Sequence, residues 1–140
     1  MSEQENVRLV RAAYAAFQRG DVKGVLANFS EDAEWDTPGD AAAIPHAGRA
    51  RGHAGIEKFF ATLADTENIT HFEPGEFIAQ NDKVVVVGNY KGTVKATGRA
   101  YDIDWLQVFT ARDGKLTSFR EYLDTAALAD AHRPAAAQTA

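Results

Sequence analysis

The second half of the chain, after about residue 70, consists almost entirely of β-strand patterns, and this grouping constrains the fold more than any other feature. Apolar and polar side chains alternate there with the two-residue period of a strand. Short segments rich in Gly, Asn and Asp interrupt the alternation, which is typical of turns between antiparallel neighbours. The pattern predicts four such strands, at residues 72–80, 83–96, 99–110 and 115–124.

Helical patterns precede these strands. Apolar residues recur at helical spacing in residues 3–19, 22–29 and 55–64, and a short strand at residues 33–37 separates the second helix from the third. Helices grouped before a meandering sheet indicate an α+β fold. We therefore expect three N-terminal helices packed on a strongly curved, mostly antiparallel sheet, forming a cone-shaped α+β barrel with a pocket between the two layers.

The chain is long enough for one hydrophobic core and too short for several. Its 140 residues contain no internal repeat and no domain boundary, so we expect a single domain over residues 1–140. Residues 38–52 form a long loop, and long loops inside compact domains are usually functional or mobile. After a weak helical turn, residues 129–140 are expected to form a flexible tail.

Composition and charge exclude several classes of function. A net charge of -5 and a pI near 5.3 argue against nucleic acid as a partner, because phosphate binding needs clustered Lys and Arg. The absence of cysteine excludes disulfides, thiolate metal sites and a cysteine nucleophile. No segment predicts a signal peptide or a membrane span, so we expect a cytoplasmic protein without membrane contact. No motif indicates a nucleotide or a metal, and we expect no cofactor.

The last predicted strand, KLTSFREYLD, carries a carboxylate among apolar residues. If its side chains alternate, Thr117, Phe119, Glu121 and Leu123 share the inward face. Loss of hydration raises the pKa of a carboxylate in such a place, which makes Glu121 a candidate proton carrier. The alternative is that Glu121 lies near an edge or pairs with a basic side chain.

Gln107 is the corresponding polar residue on the preceding strand, where it shares a face with Trp105 and Phe109. A three-residue loop at 112–114 would make Gln107 a direct or diagonal neighbour of Glu121. An amide that donates to this carboxylate suits a tuned general acid or base. Alternatively, the two residues form a core polar pair, because buried polar groups need hydrogen-bond partners.

Further candidates for the pocket wall lie on apolar faces of the predicted elements or in the long loop: Tyr14, Trp35, Thr37, His46, Phe59, Leu63, Trp105, Phe119 and Leu123. For Tyr14 and Trp35 the alternative is an ordinary core position. The histidines show no metal-type pairing in the sequence, so no metal site is predicted. We expect surface or loop positions for all of them: His46, His53, His71 and His132.

Three segments resemble the SnoaL-like branch of the nuclear-transport-factor-2-like superfamily, and most of all its bacterial ketosteroid-isomerase-related proteins. The segments are AAYAAFQRGDVKGVLANFSEDAEWDTPG, RGHAGIEKFF and VFTARDGKLTSFREYLD, and the resemblance covers residues 7–124. It implies three helices over a strongly curved sheet, a deep apolar pocket and a homodimer formed through the sheet. Because one fold hosts many chemistries, the resemblance does not imply one reaction.

The catalytic residues of true ketosteroid isomerases are not matched in this chain. The position of their base falls at Thr37, that of their oxyanion-hole Tyr at Ala13 and that of their oxyanion-hole Asp near Trp105. The resemblance therefore does not imply their mechanism.

Glu121 is the one catalytic carboxylate that the resemblance retains. It matches an Asp of limonene-epoxide-hydrolase-like enzymes, whose other catalytic positions fall here at Trp35, Thr37, Gly88 and Tyr90. SnoaL-type polyketide cyclases use a facing His and Asp on the last two strands, and the nearest pairs here are Gln107 with Glu121 or with Asp124.

The sequence thus predicts a cofactor-independent acid–base enzyme of isomerase, cyclase or hydrolase type. It would enclose a small apolar or aromatic compound, with Glu121 as the proton-transfer residue and Gln107 positioning it. The alternatives are a non-catalytic small-ligand-binding protein of the same fold and a dimeric structural module.

Overall fold

The structure, a computed structural model, describes residues 2–134. Within them the chain forms four helices and six strands, in the order α1 (Glu3–Gln18), α2 (Val22–Leu26), β1 (Phe29–Thr37), β2 (Gly48–Arg51), α3 (Gly52–Thr66), β3 (Glu67–Gln80), β4 (Lys83–Val94), β5 (Ala100–Arg112), β6 (Lys115–Leu123) and α4 (Thr125–His132). None of these helices is long and apolar enough to cross a membrane.

The strands form one curved, unclosed sheet with the order β2-β1-β6-β5-β4-β3. Strands β1 and β6 pair in parallel, and all other neighbours pair antiparallel. Helices pack on this sheet, which confirms the predicted α+β fold. The core lies between the two layers, and on β5 it buries every second residue from Tyr101 to Ala111.

Helix α1 carries Tyr14 to the sheet. A capping box fixes its start, because the Glu5 N–H donates to Ser2 Oγ and the Ser2 N–H donates to Glu5 Oε1. The buried face of the helix then includes Val10, Ala13 and Tyr14. The Tyr14 ring contacts three aromatic rings on the two strands β3 and β5, so its hydroxyl is held within the core.

The turn between β5 and β6 differs from the prediction. Its two central residues, Asp113 and Gly114, have φ values of 52° and 81°, which is typical of a two-residue type I′ turn. The expected three-residue loop is therefore wrong. The register shifts further along the hairpin, since Ala111 pairs with Leu116 but Thr110 pairs with Ser118.

Thr117 is consequently the extra residue of a β-bulge. After this bulge Gln107 pairs directly with Glu121, and the predicted proximity of the two residues is confirmed. The bulge also explains why Leu116 and Phe119 are both buried, although simple alternation places them on opposite faces.

Several boundaries were predicted wrongly, and one strand was missed. Residues 27–29 were assigned to the second helix, but α2 ends at Leu26 and Phe29 opens β1 by pairing with Leu116. Strand β2 lies inside the predicted loop. The sequence pattern did not reveal it, because its sequence GRAR is polar and it joins the sheet only as an edge partner of β1. Strand β3 starts at Glu67, five residues before the predicted start, and the expected bulge near Pro74 is confirmed.

Part of the predicted tail is helical. Residues 129–132 belong to α4, which begins where Asp124 Oδ1 accepts a hydrogen bond from the Ala127 N–H. Leu128 and Ala131 are buried, and α4 contacts strands β4 and β5, so this segment is packed on the sheet. The predicted tail from residue 135 to 140 lies outside the described residues.

Gly88 should be indispensable for the close approach of β4 to its neighbours. A Cβ atom there would overlap the ring of Trp105 and lie 2.7 Å from the carbonyl oxygen of Glu73. We expect Gly88→Ala to lower the free energy of unfolding in urea by about 1–3 kcal/mol. Gly55→Ala on α3 is the control, because its Cβ would meet Ala50 at an ordinary 3.4 Å. Equal stability of the two variants would contradict this account.

Candidate functional site

A cavity of about 70 Å³ lies between the helices and the sheet. Its wall is largely aromatic and includes rings from both layers, among them Phe29, Phe59, Phe60, Phe72, Phe109 and Phe119. Polar side chains also reach this wall: Tyr14, His46, Tyr90, Gln107 and Glu121. An apolar cavity with a few converging polar groups is the usual form of a small-molecule site.

Three of these polar residues form a hydrogen-bond chain. Tyr14 Oη donates to Gln107 Oε1 over 2.8 Å, and Gln107 Nε2 donates to Glu121 Oε2 over 2.6 Å. Because Tyr14 occupies the amide oxygen, the amide nitrogen of Gln107 is directed at the carboxylate. The chain links α1, β5 and β6 and fixes the Glu121 side chain at the cavity wall.

The environment of Glu121 favours its protonated form. Burial raises the pKa of Glu121 to about 7, although the hydrogen bond from Gln107 opposes this shift and the charge of Glu67 adds to it. Burial and the charge of Glu121 also raise the pKa of Tyr14, so its hydroxyl remains a donor. Glu121 can therefore hold or release a proton near neutral pH.

The structure brings most of the sequence-predicted site residues to the cavity wall: Tyr14, Trp35, His46, Phe59, Leu63, Gln107, Phe119 and Glu121. Asp124, the alternative to Glu121, is exposed and caps α4. Of the two pairs that could correspond to the facing His and Asp of polyketide cyclases, only Gln107 with Glu121 lines the cavity.

Thr37, Trp105 and Leu123 do not line the cavity, so the prediction was wrong for these residues. Thr37 is buried and its hydroxyl lies 3.1 Å from the His46 carbonyl oxygen, where it ties down the loop. Trp105 stacks on Phe72 with a centroid distance of 5.1 Å and fills the space beside Gly88. Leu123, half-buried at the end of β6, pairs with Trp105.

The sequence missed several lining residues, notably Ile69, Phe72 and Tyr90 on β3 and β4. Ile69 was not assigned to a strand, because the polar segment around it shows no clear alternation. Tyr90 follows Gly88 in a β-rich run that gave no sign of which face turns inward.

The predicted surface or loop position was wrong for His132, which lies at the end of α4, whereas His46 lies in the predicted loop but is buried. Their side chains are each 5% exposed and flank the buried carboxylate of Glu67. Burial lowers the pKa of His46, partly opposed by the charge of Glu67. Tyr101 Oη completes the cluster by donating to Glu67 Oε1 over 2.7 Å.

This cluster also has the composition of a metal site. The potential ligand atoms of His46, Glu67 and His132 lie within 4.8 Å of one another. Sequence reasoning missed it because these residues are far apart in the chain and Glu67 lies in a polar stretch resembling a turn.

Comparison with known proteins identifies the family. The sequence profile of the SnoaL-like domain matches residues 10–119, more than half of the chain. The chain belongs to the SnoaL-like family. The cavity and the Tyr14–Gln107–Glu121 chain are thus features of a SnoaL-like domain, and no functionally curated protein matches this chain significantly.

Solved structures of similar proteins share the same fold. A nuclear-transport-factor-2-like protein from Burkholderia xenovorans is 46% identical and superimposes with a TM-score of 0.86 over 95% of this chain and 99% of that chain. TerC, co-crystallised with polyporic acid, is 32% identical with a TM-score of 0.84 over 91% of this chain and 98% of that chain. A protein of unknown function from Burkholderia pseudomallei is 28% identical with a TM-score of 0.84 over 94% and 98% of the respective chains.

Glu121 should make the SnoaL-like domain less stable as the pH rises from about 4.5 to about 7. Its pKa is raised from an ordinary 4.5 to about 7, so the folded state binds more protons than the unfolded state in this window. The free energy of unfolding should fall across it by up to about 3 kcal/mol. Urea denaturation at a series of pH values measures the loss.

Glu121→Gln should remove most of this decline, because an amide does not titrate. Glu57→Gln, on the exposed side of α3, should leave the decline in place. Parallel pH profiles for the wild type and Glu121→Gln would show that the carboxylate is not tuned.

Proposed function

We propose that this protein binds a small apolar or aromatic compound in the cavity and that Glu121 transfers a proton to or from it. The observation that supports this most directly is a carboxylate with a pKa of about 7 on an aromatic cavity wall. A general base works best when its pKa lies near the working pH, because it is then both available and strong enough.

Proton abstraction from a carbon next to a carbonyl group is the chemistry that suits this arrangement. The ionised Glu121 takes the proton, and the protonated form returns it to another atom of the same compound. Isomerisation and aldol-type cyclisation include such a step, whereas in water addition the same carboxylate would take the proton from the attacking water. The proposed reaction of Glu121 needs no cofactor.

Gln107 and Tyr14 act as positioning residues in this proposal. Gln107 Nε2 holds one carboxylate oxygen, Oε2, and Tyr14 holds the amide of Gln107 in place. Within residues 2–134 this leaves Oε1 of Glu121 available for the compound. Gln107 is neutral, so it orients the carboxylate without the large decrease in pKa that a cation would cause.

The size of the cavity limits the ligand. An apolar cavity of about 150 Å³ binds benzene in another protein, whereas this one measures about 70 Å³. An aromatic ligand must therefore widen it by displacing side chains of the wall. The likeness to TerC supports an aromatic ligand class, because TerC was crystallised with polyporic acid.

Proton transfer by Glu121 can be tested on a simple aromatic ketone. We expect the wild-type protein to accelerate exchange of the α-protons of 2-tetralone in deuterated buffer, followed by NMR. Glu121→Gln should slow the catalysed exchange by about 100-fold or more, as is typical for loss of a general base.

The matched control is Glu34→Gln, which changes an exposed carboxylate of β1 and should exchange like the wild type. Binding of polyporic acid is measured on the same proteins by fluorescence quenching. Binding without any Glu121-dependent exchange would favour the non-catalytic binding protein. Neither binding nor exchange would favour the structural module.

We further propose a homodimer formed through the outer face of the sheet. A row of neighbouring positions on three strands, Val87, Leu106 and Tyr122, points away from the core. Val87 and Tyr122 are 40% and 45% exposed, and large exposed apolar residues on central strands are typical of interfaces. A second copy of the chain can cover this row with the same residues.

Val87→Asp should convert the dimer to a monomer, because a charge without a partner is costly at an apolar interface. Sedimentation velocity at micromolar concentration should show the dissociation constant increased by about 100-fold or more. Ala61→Asp, on the exposed side of α3, is the control and should remain dimeric. A monomeric wild type would rule out this interface.

A further inference from the structure

Glu67 is a buried carboxylate in a setting distinct from that of Glu121. Its side chain is 0% exposed, and Oε1 accepts a hydrogen bond from Tyr101. Oε2 lies 2.8 Å from His132 Nε2 and 3.4 Å from His46 Nδ1. Among residues 2–134, these histidines are its ion-pairing partners, and no Lys or Arg reaches it.

His46 is incompletely satisfied in this cluster. Its Nδ1 atom is buried and close to Glu67, yet it makes no hydrogen bond within the described residues. A buried polar atom without a partner is destabilising, so it calls for an explanation such as a bound ion. The atom lies 3.4 Å from the same carboxylate oxygen that His132 contacts, which makes the space between the three side chains the place for that ion.

We propose that His46, Glu67 and His132 bind a divalent transition metal. Two imidazole nitrogens and a carboxylate oxygen are a ligand set typical of zinc, and Co²⁺ and Fe²⁺ accept it as well. The ligand atoms lie within 4.8 Å of one another, so small side-chain shifts can place them about 2.0–2.2 Å from one ion. The ion would take the place of the direct contact between His132 Nε2 and Glu67 Oε2. The ion gives His46 Nδ1 a partner and neutralises the buried charge of Glu67.

The surroundings of the cluster suit this role. Tyr101 holds the other oxygen of Glu67, as partners behind metal-binding carboxylates do. The ligands come from the loop before β2, from the start of β3 and from the end of α4, so one ion would connect three distant segments. The His46 ring also lines the cavity, and a fourth coordination position remains for water or another ligand.

The site can be tested on the untagged full chain after removal of metals with EDTA. Isothermal titration with Zn²⁺ should show one ion bound per chain with a micromolar or lower Kd. Co²⁺ should give visible absorption bands of a four- or five-coordinate ion with nitrogen and oxygen ligands. Zn²⁺ should raise the Tm, because an ion that binds only the folded state stabilises it.

His46→Gln is the decisive variant. Because His46 Nδ1 makes no hydrogen bond in the described chain, the change breaks no hydrogen bond of that atom, and the Tm of the metal-free variant is measured to show that it remains folded. The same change should weaken Zn²⁺ binding by about 100-fold or more and abolish the Co²⁺ bands. Tyr101→Phe should weaken binding by about 10-fold through loss of support for Glu67.

Two controls separate this site from other binding. His71→Gln replaces a half-exposed histidine elsewhere on β3, and this variant should bind Zn²⁺ like the wild type. Glu121→Gln changes none of the three proposed ligands and should still bind one Zn²⁺ ion per chain, so failure of the proposed proton transfer and failure of the metal site are distinguishable. No stoichiometric binding by the wild type, or unchanged binding by His46→Gln, would overturn the proposal.

Discussion

The bulge at Thr117 is the local feature on which the candidate site depends. The type I′ turn pairs Arg112 with Lys115, and an unbroken ladder from that turn would place Gln107 opposite Arg120. Glu121 would then lie on the outer face. One extra residue restores the register in which Gln107 meets Glu121, since a one-residue shift exchanges the two faces of a strand. The carboxylate enters the cavity because of this irregularity.

The partner that the register gives to Glu121 determines its chemistry. A basic residue opposite the carboxylate would stabilise its ionised form and lower its pKa. Gln107 instead supplies one hydrogen bond from a neutral group, and the aromatic wall supplies no charge, so desolvation has the largest effect on the pKa of Glu121. Tyr14 is essential to this balance, because it occupies the amide oxygen and keeps the donor side of Gln107 towards the carboxylate.

Prediction from the sequence succeeded where the pattern is local or repeated. Alternation along β5 and β6 identified Gln107 and Glu121 as polar residues on buried faces. It placed the two residues on the same face despite a wrong turn, because a three-residue loop and a two-residue turn with a bulge give the same parity further along the hairpin. Strand β2 and the His46–Glu67–His132 cluster could not be predicted, since both depend on contacts between segments without any periodic signal.

The two buried carboxylates are linked through their charges. Glu67 adds to the raised pKa of Glu121 because two negative charges in one weakly solvated interior disfavour each other. Each carboxylate has a tyrosine in its network: Tyr101 contacts Glu67 directly, and Tyr14 acts on Glu121 through Gln107. A cation bound at Glu67 would offset this repulsion, lower the pKa of Glu121 and favour its ionised form, which is then more often available but weaker as a base. The occupancy of one cluster would thereby adjust the protonation of the other without any contact between them.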